Sequence, residues 1–188
     1  MSKFKYSLLV VIVLLVSACG GGGGSGGGSF AGAARISLTT SPNSIDTDDR
    51  TQVSIKISDV IDSGVVLKIR YPNKLSYAAS TARLKLDTED TFTSIEPNFT
   101  GERNDYKYLV FMLSRDLFGD TSDDEEIESD PGTLTLQLIG NARLRDGSIE
   151  ADADVNDPQI PDNEEFDINN PKFEAEAEAS IEVTQSRD

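Results

Sequence analysis

From residue 35 onward, apolar side chains fall at every second position in short runs, and this alternation constrains the fold more than any other feature of the chain. Ile36 and Leu38 form one such pattern, and Val53, Ile55 and Ile57 another. A period of two is that of half-buried strands, whose successive side chains point to opposite faces. The segment Gly64 to Tyr71 is denser in Val, Leu and Ile and predicts a more buried strand. Leu84 and Leu86 predict a short strand. Tyr106 to Leu113 predicts a central strand covered on both faces, and Leu134, Leu136 and Leu138 one that is exposed on one side. The run from Phe173 to Val183 alternates strictly although Ala and Glu are strong helix formers. It is read as a strand with Phe173, Ile181, Val183 and the alanines inward. The domain's prolines fall between these runs, where a missing N–H costs no ladder bond. Many short strands without intervening helical stretches predict an all-β fold, an antiparallel β-sandwich of the jelly-roll kind.

The segment ahead of these strands has a different character. A basic start containing Lys3 and Lys5 is followed by an apolar run from Leu8 to Val16 and by the small residues Ser17 and Ala18. This is the layout of a secretory leader, and the run is about half the 20 or so residues that a membrane-spanning helix needs. Val16-Ser17-Ala18-Cys19-Gly20 resembles the lipobox of bacterial lipoproteins. The resemblance implies cleavage before Cys19, a diacylglyceryl group on its thiol and acylation of the new amino group. Several acyl chains hold a protein on a membrane, whereas one is marginal. The expected organisation is a signal peptide over 1–18, a lipidated cysteine and Gly/Ser-rich linker over 19–34, and a β-sandwich over 35–185. The ten residues from Gly20 to Ser29 have no side chain able to build a core. They are expected to behave as a flexible coil spanning about 17 Å. Gly20 rather than Asp after the lipidated residue favours the outer membrane of a Gram-negative cell, so the expected location is the cell envelope.

Composition narrows the chemistry. The chain carries no His, no Trp and a single Cys, and its formal charge is −16. Loss of Lys3 and Lys5 with the leader would deepen that charge to −18. Such a charge argues against nucleic acid and against adsorption to anionic lipid heads. With Cys19 occupied by lipid, no intramolecular disulfide is available, and Ser–His–Asp, Cys–His and His-ligated zinc chemistry are excluded. Paired carboxylates leave open a glycoside hydrolase, but the expectation is that the protein is not an enzyme. Without Trp, only residues such as Tyr71, Tyr77, Tyr106 and Tyr108 could stack on a sugar ring, and strand or core positions suit most of them.

Two acidic stretches are conspicuous. Asp120 to Asp130 holds seven carboxylates and reads as a solvated loop between strands. In the second, Asp152, Asp154, Asn156, Asp157 and Asp162 place oxygen ligands in the pattern a hard cation requires, and they are the candidate calcium ligands. The start is like that of an EF-hand loop, but Asp157 stands where Gly would be and Asn163 where a bidentate Glu would be. The other reading of this stretch is a solvated loop. No further cofactor is expected.

Val53 to Val60, followed by Gly64 to Leu75 with its Tyr71-Pro72-Asn73-Lys74-Leu75 ending, resembles the opening of cohesin-like domains and related carbohydrate-binding jelly rolls. Gly132 to Leu138 is similar to their penultimate core strand. The chain departs from the pattern in lacking the Asp that often follows the aromatic residue. The resemblance implies a sandwich that recognises a protein or a polysaccharide through a sheet face or end loops, and it carries no binding residues over. The expected function is a membrane-anchored, non-catalytic recognition module. The alternatives are a structural envelope protein without a ligand pocket and a carboxylate-based glycoside hydrolase.

Overall fold

The computed structural model describes residues 33–119, 129–155 and 172–185. Among these residues the strands are β1 (Arg35–Ser41), β2 (Ser44–Asp46), β3 (Arg50–Ser58), β4 (Val65–Pro72), β5 (Leu75–Tyr77) and β6 (Arg83–Leu86). They continue with β7 (Thr93–Ser94), β8 (Phe99–Arg103), β9 (Tyr106–Leu113), β10 (Gly132–Gly140), β11 (Leu144–Val155) and β12 (Ala177–Thr184). One turn of 3-10 helix, Arg115–Phe118, follows β9.

The strands form two sheets. The first runs β1-β3-β10-β6-β7, with β5 also paired to β10, and the second runs β2-β12-β11-β4-β9-β8. The recorded strand pairings are antiparallel except that of β12 with β2, which is parallel. The fold is therefore an antiparallel β-sandwich, as the alternation predicts.

Between the sheets, the inward positions of β3 (Val53, Ile55, Ile57) and β10 (Leu134, Leu136, Leu138) face those of β4 (Val65, Leu67, Ile69) and β9 (Leu109, Phe111, Leu113) in one buried cluster. Side chains of this size each gain about 1.5–3 kcal/mol on burial, so the alternating residues are also the ones that hold the sandwich together. At one end, Gly64 leads into β4 at φ +81, and a Cβ there would lie 3.0 Å from Ser114 Cα. Glycine is required on both counts. At another end, Gly140 closes β10 where a Cβ would stand 2.8 Å from Val183 Cγ1.

The structure corrects the sequence reading in three places. Leu144–Val155 is a 12-residue strand that the sequence reading took in part for a loop. Its inward residues Ile149, Ala151 and Ala153 are mostly too small to look like a core face, although all are buried. Phe173 does not point inward with Ile181 and Val183; its ring lies on Tyr108 and Arg70, outside the second sheet. Ala175 is exposed, and β12 begins only at Ala177. Ahead of β1, Ala33 and Ala34 are buried against the core.

Candidate functional site

The outer face of the second sheet carries side chains that the core does not explain. The residues of β4 that alternate with its core positions are Val66, Lys68 and Arg70, and all face outward. Lys68 is nonetheless fully buried. Its cross-strand neighbour on β11 is Asp152, and Asp154 lies one outward position further along. The Lys68 ammonium donates to Asp152 Oδ2 at 3.4 Å, to Asp154 Oδ2, and to the Lys172 carbonyl at 3.0 Å. Three donors thus meet three acceptors, the condition under which a buried ammonium is tolerated.

The segment Lys172–Glu176 lies across this face. Besides the Lys172 carbonyl, the Glu174 amide donates to Asp152 Oδ2 at 3.1 Å and the Glu176 amide to the Ala151 carbonyl at 2.9 Å. Between them, Phe173 places its ring centroid 4.3 Å from the Arg70 guanidinium carbon and 6.2 Å from the Tyr108 ring, edge on. Arg70 is also held by Glu150, its cross-strand partner, through an Nε–Oε2 hydrogen bond of 2.6 Å. Burial pushes the Asp152 carboxyl above its ordinary value, outweighing the opposite pull of Lys68 and the Glu174 amide. Burial likewise raises Glu176, helped by the nearby Asp152 charge.

These contacts locate the first two candidate calcium ligands. Asp152 and Asp154 are strand residues facing a lysine ammonium, so the positive charge expected there is supplied by the protein itself. Among the described residues no group of three or more His, Cys, Asp or Glu is placed to hold a metal ion. Asn156, Asp157 and Asp162 lie outside the described residues, as does the acidic stretch from Asp120 to Glu128. Cys19, the candidate lipidation site, lies outside them too.

Next to this cluster the face changes character. Tyr106, Tyr108, Val110 and Met112 are the outward positions of β9, alternating with Leu109, Phe111 and Leu113, which face the core. None is charged. Tyr108 and Val110 are buried, as expected for a central strand, but Tyr106 and Met112 are 39% and 41% exposed at its two ends. Phe99 on the edge strand β8, paired with Val110, is 39% exposed. Arg70 reaches the Tyr106 ring at 5.0 Å, and Arg103 pairs with Tyr106 in register. Sequence reasoning named Tyr106 and Tyr108 but missed Lys68, Arg70 and Glu150. The signal was present: a lysine in the middle of the apolar run Val65-Val66-Leu67-Lys68-Ile69 must either reach solvent or meet an acid.

No protein-family model matches the sequence, and no curated protein matches it either. Among solved structures, a non-cellulosomal cohesin from the hyperthermophilic archaeon Archaeoglobus fulgidus aligns over 80% of this chain and 92% of its own, at 13% identity and a TM-score of 0.39. The pilus backbone of Streptococcus pneumoniae aligns over 66% of this chain and 32% of its own, at 13% identity and a TM-score of 0.44. An enzyme that catalyses macrocyclization in alchivemycin A biosynthesis aligns over 83% and 91%, at 10% identity and a TM-score of 0.40. A cohesin, a pilus backbone and an enzyme thus stand side by side at this level of likeness, and the β-sandwich assignment rests on the strand pairing of this chain itself.

Proposed function

We propose that this chain is a lipid-anchored envelope protein whose sandwich is a non-catalytic recognition module, with the outer face of β8 and β9 as its contact surface for a protein partner. The observation that carries the reading is the row Tyr106, Tyr108, Val110 and Met112, an outward strand face without a charged residue, opening to solvent at both ends. Aromatic residues, Met and Arg are the types enriched at protein interfaces, and here Tyr106 stands beside Arg70 and Arg103 at one end of the row, with Phe99 and Met112 towards the other. Strands held at both edges of the row give such a surface little to lose in ordering when a partner binds. The anchoring part of the proposal is supported by the resemblance of Val16-Ser17-Ala18-Cys19 to a lipobox.

The test uses a photo-crosslinking amino acid at position 112 in the full chain within living cells. A discrete adduct that disappears on Tyr106→Ser supports the reading. A pattern no different from that of the same probe placed at Asp48, in the exposed turn between β2 and β3, overturns it.

A further inference from the structure

We propose that the outer face of the first sheet is a second docking surface, for an acidic polysaccharide bearing uronate carboxylates. The inference rests on the reading of the sandwich as a recognition module but concerns the face turned away from the aromatic row.

Register sets this face out in rows across the strands. One row runs Ser37, Lys56, Thr133, Lys85, and the next Thr39, Ser54, Thr135, Arg83. Beyond them Gln52 pairs with Gln137, and Arg50 with Ile139. Among the described residues, no strand position on this face carries a carboxylate, in a chain where Asp and Glu outnumber Lys and Arg by 33 to 17. The outer face of the second sheet holds Glu150, Asp152, Asp154, Glu178 and Glu182 at strand positions, alongside Lys68 and Arg70. Strand carboxylates are therefore sorted to one face.

Carboxylates do reach the margin, where Asp59 pairs with Arg35 at 3.1 Å and Asp87 with Lys56 at 3.4 Å. These are exposed pairs, which an incoming anion displaces at little cost. Arg50 is hydrogen-bonded to the neutral Gln137 at 2.9 Å, and Arg83 lies 4.3 Å from the exposed Phe92 ring, so neither contact cancels a charge.

The geometry selects among anionic ligands. Lys56 and Lys85 flank Thr133 on neighbouring strands, which separates their backbones by two strand spacings, roughly 9.6 Å. Lysines on alternate strands, with hydroxyls and amides between them, suit a polymer that carries both carboxylates and many hydroxyls. A nucleic acid duplex, with a charge about every 1.7 Å, calls for a denser cluster of cations than this face holds. The face has a hollow of about 300 Å³ lined by Gln52, Thr81, Arg83, Thr135 and Gln137, and that polar lining suits hydroxyls better than a protein's apolar anchor residues. Phe92 adds one exposed ring on which a sugar can stack. The charge of −16 does not forbid the contact, because beyond about 8 Å it is screened at physiological salt.

The experiment is affinity electrophoresis of the full-length protein through gels containing polygalacturonate or, as control, neutral dextran. Retardation is expected in polygalacturonate alone and should fade with added salt. The double variant Arg83→Glu with Lys85→Glu, both at exposed positions, should weaken it about tenfold or more. Tyr106→Ser should leave it unchanged. Equal retardation by dextran, or full retention by the double variant, overturns the proposal. So does sedimentation showing a dimer that the double variant dissolves, since the face would then join two copies. Absent retardation with the position-112 adduct intact removes this inference and leaves the protein-recognition reading standing; the reverse pair of results does the opposite.

Discussion

Lys68 has no contact with solvent, and what makes its position tenable is the set of acceptors around it: Asp152, Asp154 and the Lys172 carbonyl. Removing one partner of a buried ion pair strands the other, at a cost of about 3–5 kcal/mol. Lys68→Met should lower the urea-unfolding free energy by about that much. Adding Asp152→Ala to it should recover part of the loss, since the stranded carboxylate goes with it. A loss within about 0.5 kcal/mol for Lys68→Met, the range of ordinary surface changes, would mean that both carboxylates are solvated. The same residues set a pH dependence whose sign differs from that of a typical ion-paired carboxylate. Asp152 and Glu176 have folded-state values raised above their ordinary 3.8 and 4.5. The folded state therefore holds protons more tightly than the unfolded one. Their contribution is fully present below the ordinary values and is lost as pH rises through the raised ones. Thermal melts of the parent and of Asp152→Asn with Glu176→Gln should show the parent's relative stability falling as pH climbs above about 4. A parent whose stability rises relative to the variant as pH climbs would contradict the shift.

At the scale of the element, the strands legible in the sequence were those whose inward residues are large. β3, β4, β9 and β10 present Val, Ile, Leu or Phe at alternate positions, and each is buried as that pattern implies. β11 was illegible for two physical reasons. Its inward residues after the Leu144–Gly147 bulge are Ile149 and two alanines, and its outward ones are carboxylates. Acids at every other position are what a cation-binding loop shows, but they are equally the polar face of a strand, since both have a period of two. Only the pairing of Asp152 with Lys68 separates the two cases, and that requires knowing that β11 lies beside β4. β2, β5 and β7 span three residues or fewer, too short for a period to register. Gly140 shows the same dependence on tertiary context, because a Cβ there meets Val183 of the other sheet. Gly140→Ala should cost about 1–3 kcal/mol through overpacking at that junction. Denaturant titration showing no loss would mean that the two sheets part easily at this end.

For the whole molecule, the proposed arrangement is an acylated cysteine, a glycine tract and a sandwich with two chemically distinct faces, and each part can be tested by removing it. Cys19→Ala should abolish fatty-acid labelling and retain the leader; persistent labelling would dismiss the lipobox reading. The boundary between tether and domain admits a finer test. Ala33 and Ala34 are buried, the Ala33 amide donates to the Ala153 carbonyl at 3.4 Å, and the Ile61 amide donates to the Ala33 carbonyl at 3.0 Å. The residues just before β1 therefore fasten the loop after β3 to the far end of β11. A chain starting at Phe30 keeps these contacts, whereas one starting at Arg35 loses both hydrogen bonds and the two methyl groups. At about 0.5–1.5 kcal/mol per bond the shorter chain should be less stable by about 1–3 kcal/mol. For a domain of this size that lowers the melting temperature by roughly 2–12 °C. Both chains should give a β-type circular dichroism spectrum, because the sandwich's strand pairing begins at Arg35. Neither contains a cysteine, so reductant should move neither melt. Equal melting temperatures would place the start of the cooperative unit at β1 and make Ala33 and Ala34 part of the tether; a helical spectrum from either chain would overturn the sandwich.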